Sequence, residues 1–219
     1  MVHPMLQRYH PAARGSIYGL SGYVGHGGVV LAARASRKIL QRPRQLGIGL
    51  CFEEAPVSPE RLAGVAALCR QVGYRGVFEV EMVEVAGGAL VIDFNPRFYS
   101  QMAFDVDRGL PLPRLAYADA LGDEGALAAL VAGAQRDEAG RVYCHRALFG
   151  LMLRAQRLAG HLGAEEERRW RRWYADHRAG ATDAVADLRD PLPVGADAIA
   201  TATWFARHPR SFLRSMTME

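Results

Sequence analysis

Lysine is nearly missing from this 219-residue chain. Of its 27 Lys and Arg residues only Lys38 is a lysine, and Arg, Ala and Gly are abundant. That is a compositional bias, so the net charge of +4 and the pI near 9.2 are weak pointers to an anionic partner. A solvated basic surface is the simpler reading than a nucleic-acid footprint. Long apolar runs are missing too. No stretch reaches the roughly 18 residues a membrane-spanning helix needs, and Met1-Val2-His3-Pro4 has no basic segment leading into an apolar one, as a signal peptide would. Cysteine is scarce. Cys51, Cys69 and Cys144 form no close pair in sequence and have no metal-type spacing, which argues against a disulfide framework or a zinc site. An odd number of thiols fits a reduced, cytoplasmic protein. No His-x-x-x-His, Gly-x-Ser-x-Gly or Walker-type phosphate loop occurs, and there are no internal repeats. Half the residues are hydrophobic and 23% are charged, which is ordinary for a globular chain.

The chemistry concentrates in one place. Val77-Phe78-Glu79-Val80-Glu81-Met82-Val83 alternates like a strand. Gly87-Gly88 supplies a turn, and Ala89-Leu90-Val91-Ile92 returns into Asp93-Phe94-Asn95-Pro96-Arg97. Antiparallel pairing sets Glu81 beside Asp93 with Asn95 next to them. That gathers hard oxygen ligands and a guanidinium in one small volume, as a Mg²⁺–phosphate site requires. Glu79 shares the face of Glu81, as a supporting group or plain surface. Arg97 suits a phosphate or acyl-phosphate through bidentate donation, or an ion pair with a nearby acid. Lys38 and Arg37 follow a strand and could reach phosphates or a carboxylate.

The hairpin resembles the metal-binding end of the ATP-grasp superfamily, which includes biotin carboxylase, carbamoyl phosphate synthetase and D-alanine–D-alanine ligase. The family pattern is an acid ending one strand and Glu-x-Asn-x-Arg ending the next; Asp93 stands here for the commoner Glu. Leu6-Gln7-Arg8-Tyr9-His10 resembles the hinge strand that contacts adenine. Ser21–Val24 with Gly28–Ala32 resembles the following hairpin. Arg37–Pro43 and Gly109–Pro113 resemble segments of amine-ligase-like members.

The resemblance covers roughly residues 5–122. It implies metal ligation by Glu81, Asp93 and Asn95, and nucleotide contacts from Gln7, Arg8, Tyr9, His10 and Lys38. Arg97 and Lys38 become the catalytic candidates. The implied cofactors are ATP and Mg²⁺, with Mn²⁺ as an alternative. The implied reaction activates a carboxylate as an acyl-phosphate for attack by an amine or similar nucleophile. A complete enzyme of this kind has an N-terminal domain and a lid before the hinge. The expectation is therefore the C-terminal part of a ligase, completed by another chain or working as a homodimer. A non-catalytic remnant and an Arg-rich nucleic-acid binder are the competing readings.

The expected fold is α+β: an ATP-grasp-like antiparallel sheet backed by helices over residues 1–122, and a mostly helical extension over 123–219. Residues 5–35 read as β-rich and 36–55 as irregular, because Pro43, Gly47 and Gly49 break any period. Ser58-Pro59-Glu60 caps a helix that runs to about Val72 and stops at Gly73, burying Leu62, Val65, Ala66, Leu68 and Cys69. Residues 98–108 form a helix that returns Gln101 beneath the site. Leu112–Leu121 is a short helix ending at Gly122. In the extension, residues 125–135 are a helix or linker and 141–151 a strand then a helix. Ala164–Arg178 is a helix with Trp170, Trp173 and Tyr174 on its core face. Asp190–Pro193 is a rigid connector before a helix over 196–205, which ends at His208-Pro209-Arg210.

Overall fold

The computed structural model describes residues 8–13, 17–44, 47–134, 140–187 and 189–218. Short apolar runs broken by glycine turns give the strands; longer runs with capping residues give the helices. In chain order the elements are β1 (Ile17–Val24), β2 (Val30–Arg42), β3 (Ile48–Ala55), α1 (Pro59–Val72), β4 (Gly76–Val85) and β5 (Gly88–Asn95). Then follow α2 (Met102–Asp107), α3 (Leu112–Leu121), α4 (Glu124–Gly133), β6 (Val142–Cys144), α5 (Arg146–Leu158), α6 (Ala164–His177), β7 (Ala181–Asp183), α7 (Leu192–Arg207) and α8 (Pro209–Thr217).

The fold is mixed α+β. One seven-stranded sheet runs in the order β5-β4-β1-β2-β3-β6-β7. Every pairing is antiparallel except β6 with β7. Tyr18, Leu20, Phe78 and Val80 line one face and pack on Val65 and Cys69 of α1. Tyr23 and Val77 line the other, beneath Leu110, Leu112 and Leu115 of the α3 region. A third cluster joins Leu40, Leu50, Cys51 and Cys144 to Phe149 and Met152 of α5 and Phe212 and Met216 of α8. Each fully buried side chain of this size stabilises the fold by about 2 kcal/mol.

Several local expectations hold. Ser58 caps α1 by accepting from the Arg61 N–H at 3.4 Å, and Gly73 ends it at φ 65°. The left-handed backbone at Gly73 carries no Cβ penalty. Val65 and Cys69 are buried as expected, whereas Leu68 is exposed. Residues 112–121 form the helix expected there, closed by Gly122 at φ 68°. Trp170, Trp173 and Tyr174 stack around Phe149.

Other expectations are corrected. Residues 36–55 are mostly strand. Pro43 and Gly47 fall in the β2–β3 connection, and Gly49 sits inside β3, where a Cβ would lie 2.1 Å from the Phe52 ring. Arg8–His10 are not a strand, and Pro11–Ala13 form a single 3-10 turn, since Pro11 has no N–H to donate to a ladder. Gln7 lies outside the described residues. Only residues 102–107 of the segment 98–108 are helical. Leu192 and Pro193 open α7 instead of preceding it, because proline is tolerated in a first helical turn. Residues beyond 123 also extend the sheet itself, through β6 and β7. Finally, Cys51 and Cys144, far apart in sequence, are direct partners across β3 and β6.

Candidate functional site

Register builds the site. On β4 and β5, Glu81 lies directly opposite Asp93 and Glu79 opposite Asn95. Directly opposed residues point to the same face. A bulge follows at once: Met82 pairs with Val91, leaving Ile92 as the extra residue of β5. Ile92 packs with Ala13, Ile17 and Val83. A bulge of this kind re-aims side chains and tightens local twist, and here it sets Asp93 at the end of a small apolar cluster.

A polar chain connects these groups. The Asn95 amide donates to Asp93 Oδ2 at 2.8 Å and to Glu79 Oε2 at 3.3 Å. Gln101, just before α2, donates to the other oxygen of Glu79. Lys38 reaches Glu81 Oε1 at 2.5 Å. The reach crosses two strand spacings, about 9.6 Å, from β2 over β1 to β4. Gly19 makes it feasible. It is the β1 partner of both Glu81 and Ser36, so the intervening rung carries no side chain.

Charge here is unbalanced. Glu79, Glu81 and Asp93 carry three potential negative charges, and Lys38 touches Glu81. Glu79 is 5% exposed. Burial, and then the neighbouring Glu81 charge, push its carboxyl up to about 7, against the pull of Lys38 and the Gln101 hydrogen bond.

A second polar cluster lies on the same face and is closed. Asp105 of α2 is buried beneath the sheet. It accepts from the Ser21 hydroxyl at 2.6 Å and from the Tyr99 hydroxyl, and Arg108 Nη1 stands 3.7 Å from its other oxygen. Arg108 also donates to the Ala35 carbonyl at 2.8 Å. Arg34 donates to the carbonyls of Arg108 and Ala134. Burial still pushes the Asp105 carboxyl up, opposed by Ser21, Tyr99, Arg108 and Arg34. This knot fastens α2 and the end of α4 to the sheet. The sequence reading missed it, although an acid and an arginine three residues apart in an apolar segment, Asp105 and Arg108, were its signal.

The structure thus brings together Glu81, Asp93, Asn95 and Lys38, and adds Glu79 and Gln101. It separates Arg37 from Lys38. Both lie inside β2, and the two-residue period sends Arg37 to the opposite face, where it pairs with Glu84 at 3.3 Å. Arg97 is exposed just past β5, and its Nη1 donates to the Phe98 carbonyl at 3.0 Å. Arg8 and Tyr9 are exposed and His10 is half-buried; all three precede the 3-10 turn. Among the described residues no group of three or more His, Cys, Asp or Glu side chains is arranged to hold a metal ion. No described helix is long and apolar enough to cross a membrane.

No protein-family description matches the sequence, and no curated protein matches it. Among solved structures, 106 chains match. One is the biotin carboxylase domain of 2-oxoglutarate carboxylase from Hydrogenobacter thermophilus, in complex with MgADP, ADP and bicarbonate. It is 18% identical, with a TM-score of 0.39 over 49% of this chain. The match spans 25% of that structure's length.

Proposed function

We propose that this chain is the Mg²⁺- and nucleotide-binding part of an ATP-grasp-type ligase, which activates a carboxylate as an acyl-phosphate for attack by an amine or similar nucleophile. Residues 1–122 carry the site, and residues 123–219 form a largely helical extension. The observation that carries the reading is the direct opposition of Glu81 and Asp93, with Asn95 hydrogen-bonded beside them.

The donor chemistry fits a hard divalent cation. Two carboxylates and an amide oxygen, next to a third buried acid, leave negative charge that one lysine does not balance. Asn95 turns its amide nitrogen toward the acids; turning the amide over presents Oδ1 instead, so the same residue serves both arrangements. Bound Mg²⁺, or Mn²⁺ in its place, supplies charge neutralisation for transferring phosphates. Lys38 then leaves Glu81 for a phosphate oxygen or the carboxylate substrate. Arg97, free at the rim except for its bond to Phe98, clamps the planar anion. Glu79 and Gln101 hold Asn95 in place from beneath. Gln7, Arg8, Tyr9 and His10 take the nucleotide's base and ribose. The missing phosphate-covering groups come from a further segment, a second chain or a homodimer.

One contact favours a second reading, a non-catalytic relative. Lys38 already satisfies Glu81, as an internal counter-ion in place of a metal would. Thermal shift with Mg–ATP separates the two. The ligase reading predicts stabilisation that disappears with a chelator and in Asp93→Ala. Stabilisation by ATP that survives both would place the nucleotide elsewhere, and no response at all would leave the remnant. A coupled phosphate-release assay is expected to show little turnover by this chain alone, since water is not excluded without a lid.

A further inference from the structure

Cys51 on β3 and Cys144 on β6 are opposed residues of an antiparallel ladder. The next rung fixes their class. The His145 N–H donates to the Leu50 carbonyl at 3.0 Å, so Leu50 and His145 form a hydrogen-bonded pair. Antiparallel rungs alternate, which makes Cys51–Cys144 a non-hydrogen-bonded pair, the kind whose Cα atoms approach to about 4.5 Å and whose side chains stand closest. Their sulfurs are 3.6 Å apart. A disulfide needs Cα atoms roughly 4.4–6.8 Å apart and sulfurs at about 2.05 Å. The backbone distance is therefore already in range, and rotation about the two Cα–Cβ bonds closes the rest. All three cysteines are free thiols. Cys69 sits apart, in the core beneath α1.

We propose that Cys51 and Cys144 are a disulfide-forming pair, an oxidative clasp between β3 and β6 made by a hydroperoxide. One thiolate attacks the peroxide; the O–O bond breaks, a sulfenic acid forms and an alcohol or water leaves. The second sulfur then displaces the sulfenic oxygen as water and forms the S–S bond. Two thiols and one hydroperoxide give one disulfide, one alcohol (or water) and one water, with both thiol protons ending on oxygen. Both sulfurs are fully buried, and burial pushes the Cys51 thiol up, with Cys144 adding to the shift. The reaction therefore waits on local opening of β6, a strand of only three residues next to another of three. Once closed, the clasp ties α5, which follows β6 directly, to the sheet. It also encloses the β4–β5 hairpin in a covalent loop whose ends are 93 positions apart.

The folded chain is treated with hydrogen peroxide, then denatured for thiol counting and peptide mapping. The expected result is a fall from three free thiols to one and a Cys51–Cys144 peptide two hydrogens lighter than its parts. Melting should rise by roughly 5–15 °C, reversed by dithiothreitol, because a loop of this length loses much unfolded-state entropy. Cys69→Ala should keep the cross-link, and Cys144→Ala should abolish it. Three thiols persisting in the treated wild type, or oxidation of Cys51 to sulfinic acid without a cross-link, would overturn the proposal without reference to any variant's folding.

Discussion

Asp105 and Glu79 are both buried acids on the same face of one sheet, yet their surroundings differ. Asp105 has two hydroxyl donors and two guanidiniums around it, and those guanidiniums are themselves anchored on backbone carbonyls. Glu79 has two amide donors; of its neighbours, Glu81 is met by Lys38 and Asp93 by the Asn95 amide. The first cluster is buried between sheet and helices, and Asp105 Oδ1, which accepts no hydrogen bond, faces the Arg108 charge at 3.7 Å. The second opens through Asp93 and Arg97 to solvent. The two networks differ in how their buried acids are compensated: guanidiniums surround Asp105, whereas Glu79 has only neutral donors and a neighbouring acid.

The largest test strikes the closed cluster. Arg108→Met leaves Asp105 buried without its nearest cation and is expected to cost about 3–5 kcal/mol, lowering Tm by about 10 °C in a scanning calorimeter. A loss below about 2 °C would mean that the two clusters are not built differently.

Next comes pH. The Glu79 carboxyl is raised to about 7 in the folded chain, above its ordinary value of 4.5. Between those values the folded chain holds a proton that the unfolded chain has released. Its contribution is therefore fully present below about 4.5 and is lost as pH rises through 7. Glu79→Gln removes the titration and keeps one accepted hydrogen bond, and the second is restored when the Asn95 amide turns over to accept from the new amide nitrogen. It should stabilise the protein by on the order of 3 kcal/mol at pH 8 and change little at pH 4.5, as read from urea unfolding. Parallel pH profiles for the two proteins would contradict the unbalanced charge. His145, which burial makes harder to protonate, pulls the other way and cancels in this difference.

Removing Lys38 sharpens the same point. Lys38→Met leaves Glu81 without its counter-ion and should cost about 2 kcal/mol. Mg²⁺ should recover more stability in this variant than in the wild type, because a competitor for Glu81 has gone. The smallest effect on stability belongs to Asp93→Asn. This exposed position should shift unfolding by no more than about 0.5 kcal/mol while abolishing the response to Mg²⁺.

Much of the hairpin was legible because its signals are local. Two glycines make the turn, the two-residue period sets the faces, and Glu81 with Asp93 falls into register from the turn outward. The bulge at Ile92 was not legible, since nothing in Val91-Ile92-Asp93 marks an extra residue. Its effect on Asp93 arises from packing against Ala13 and Ile17, distant in sequence. The Lys38–Glu81 contact also needed the fold, because it depends on β1 lying between the two strands and on Gly19 leaving that rung bare. The same holds for Cys51 and Cys144, whose pairing is a property of strand order. Arg8–His10 do not form the strand expected of a hinge, as they run straight into Pro11, which has no N–H for a ladder.

The central claim is that the Glu81–Asp93–Asn95 cluster holds a divalent cation together with a nucleotide. Isothermal titration of ADP into the protein, with and without Mg²⁺, tests it most directly when wild type and Asp93→Ala are compared. The account predicts binding heat that needs Mg²⁺ and disappears in Asp93→Ala, with the melting temperature of the variant unchanged. Mg²⁺-independent heat that is equal in both proteins would contradict it.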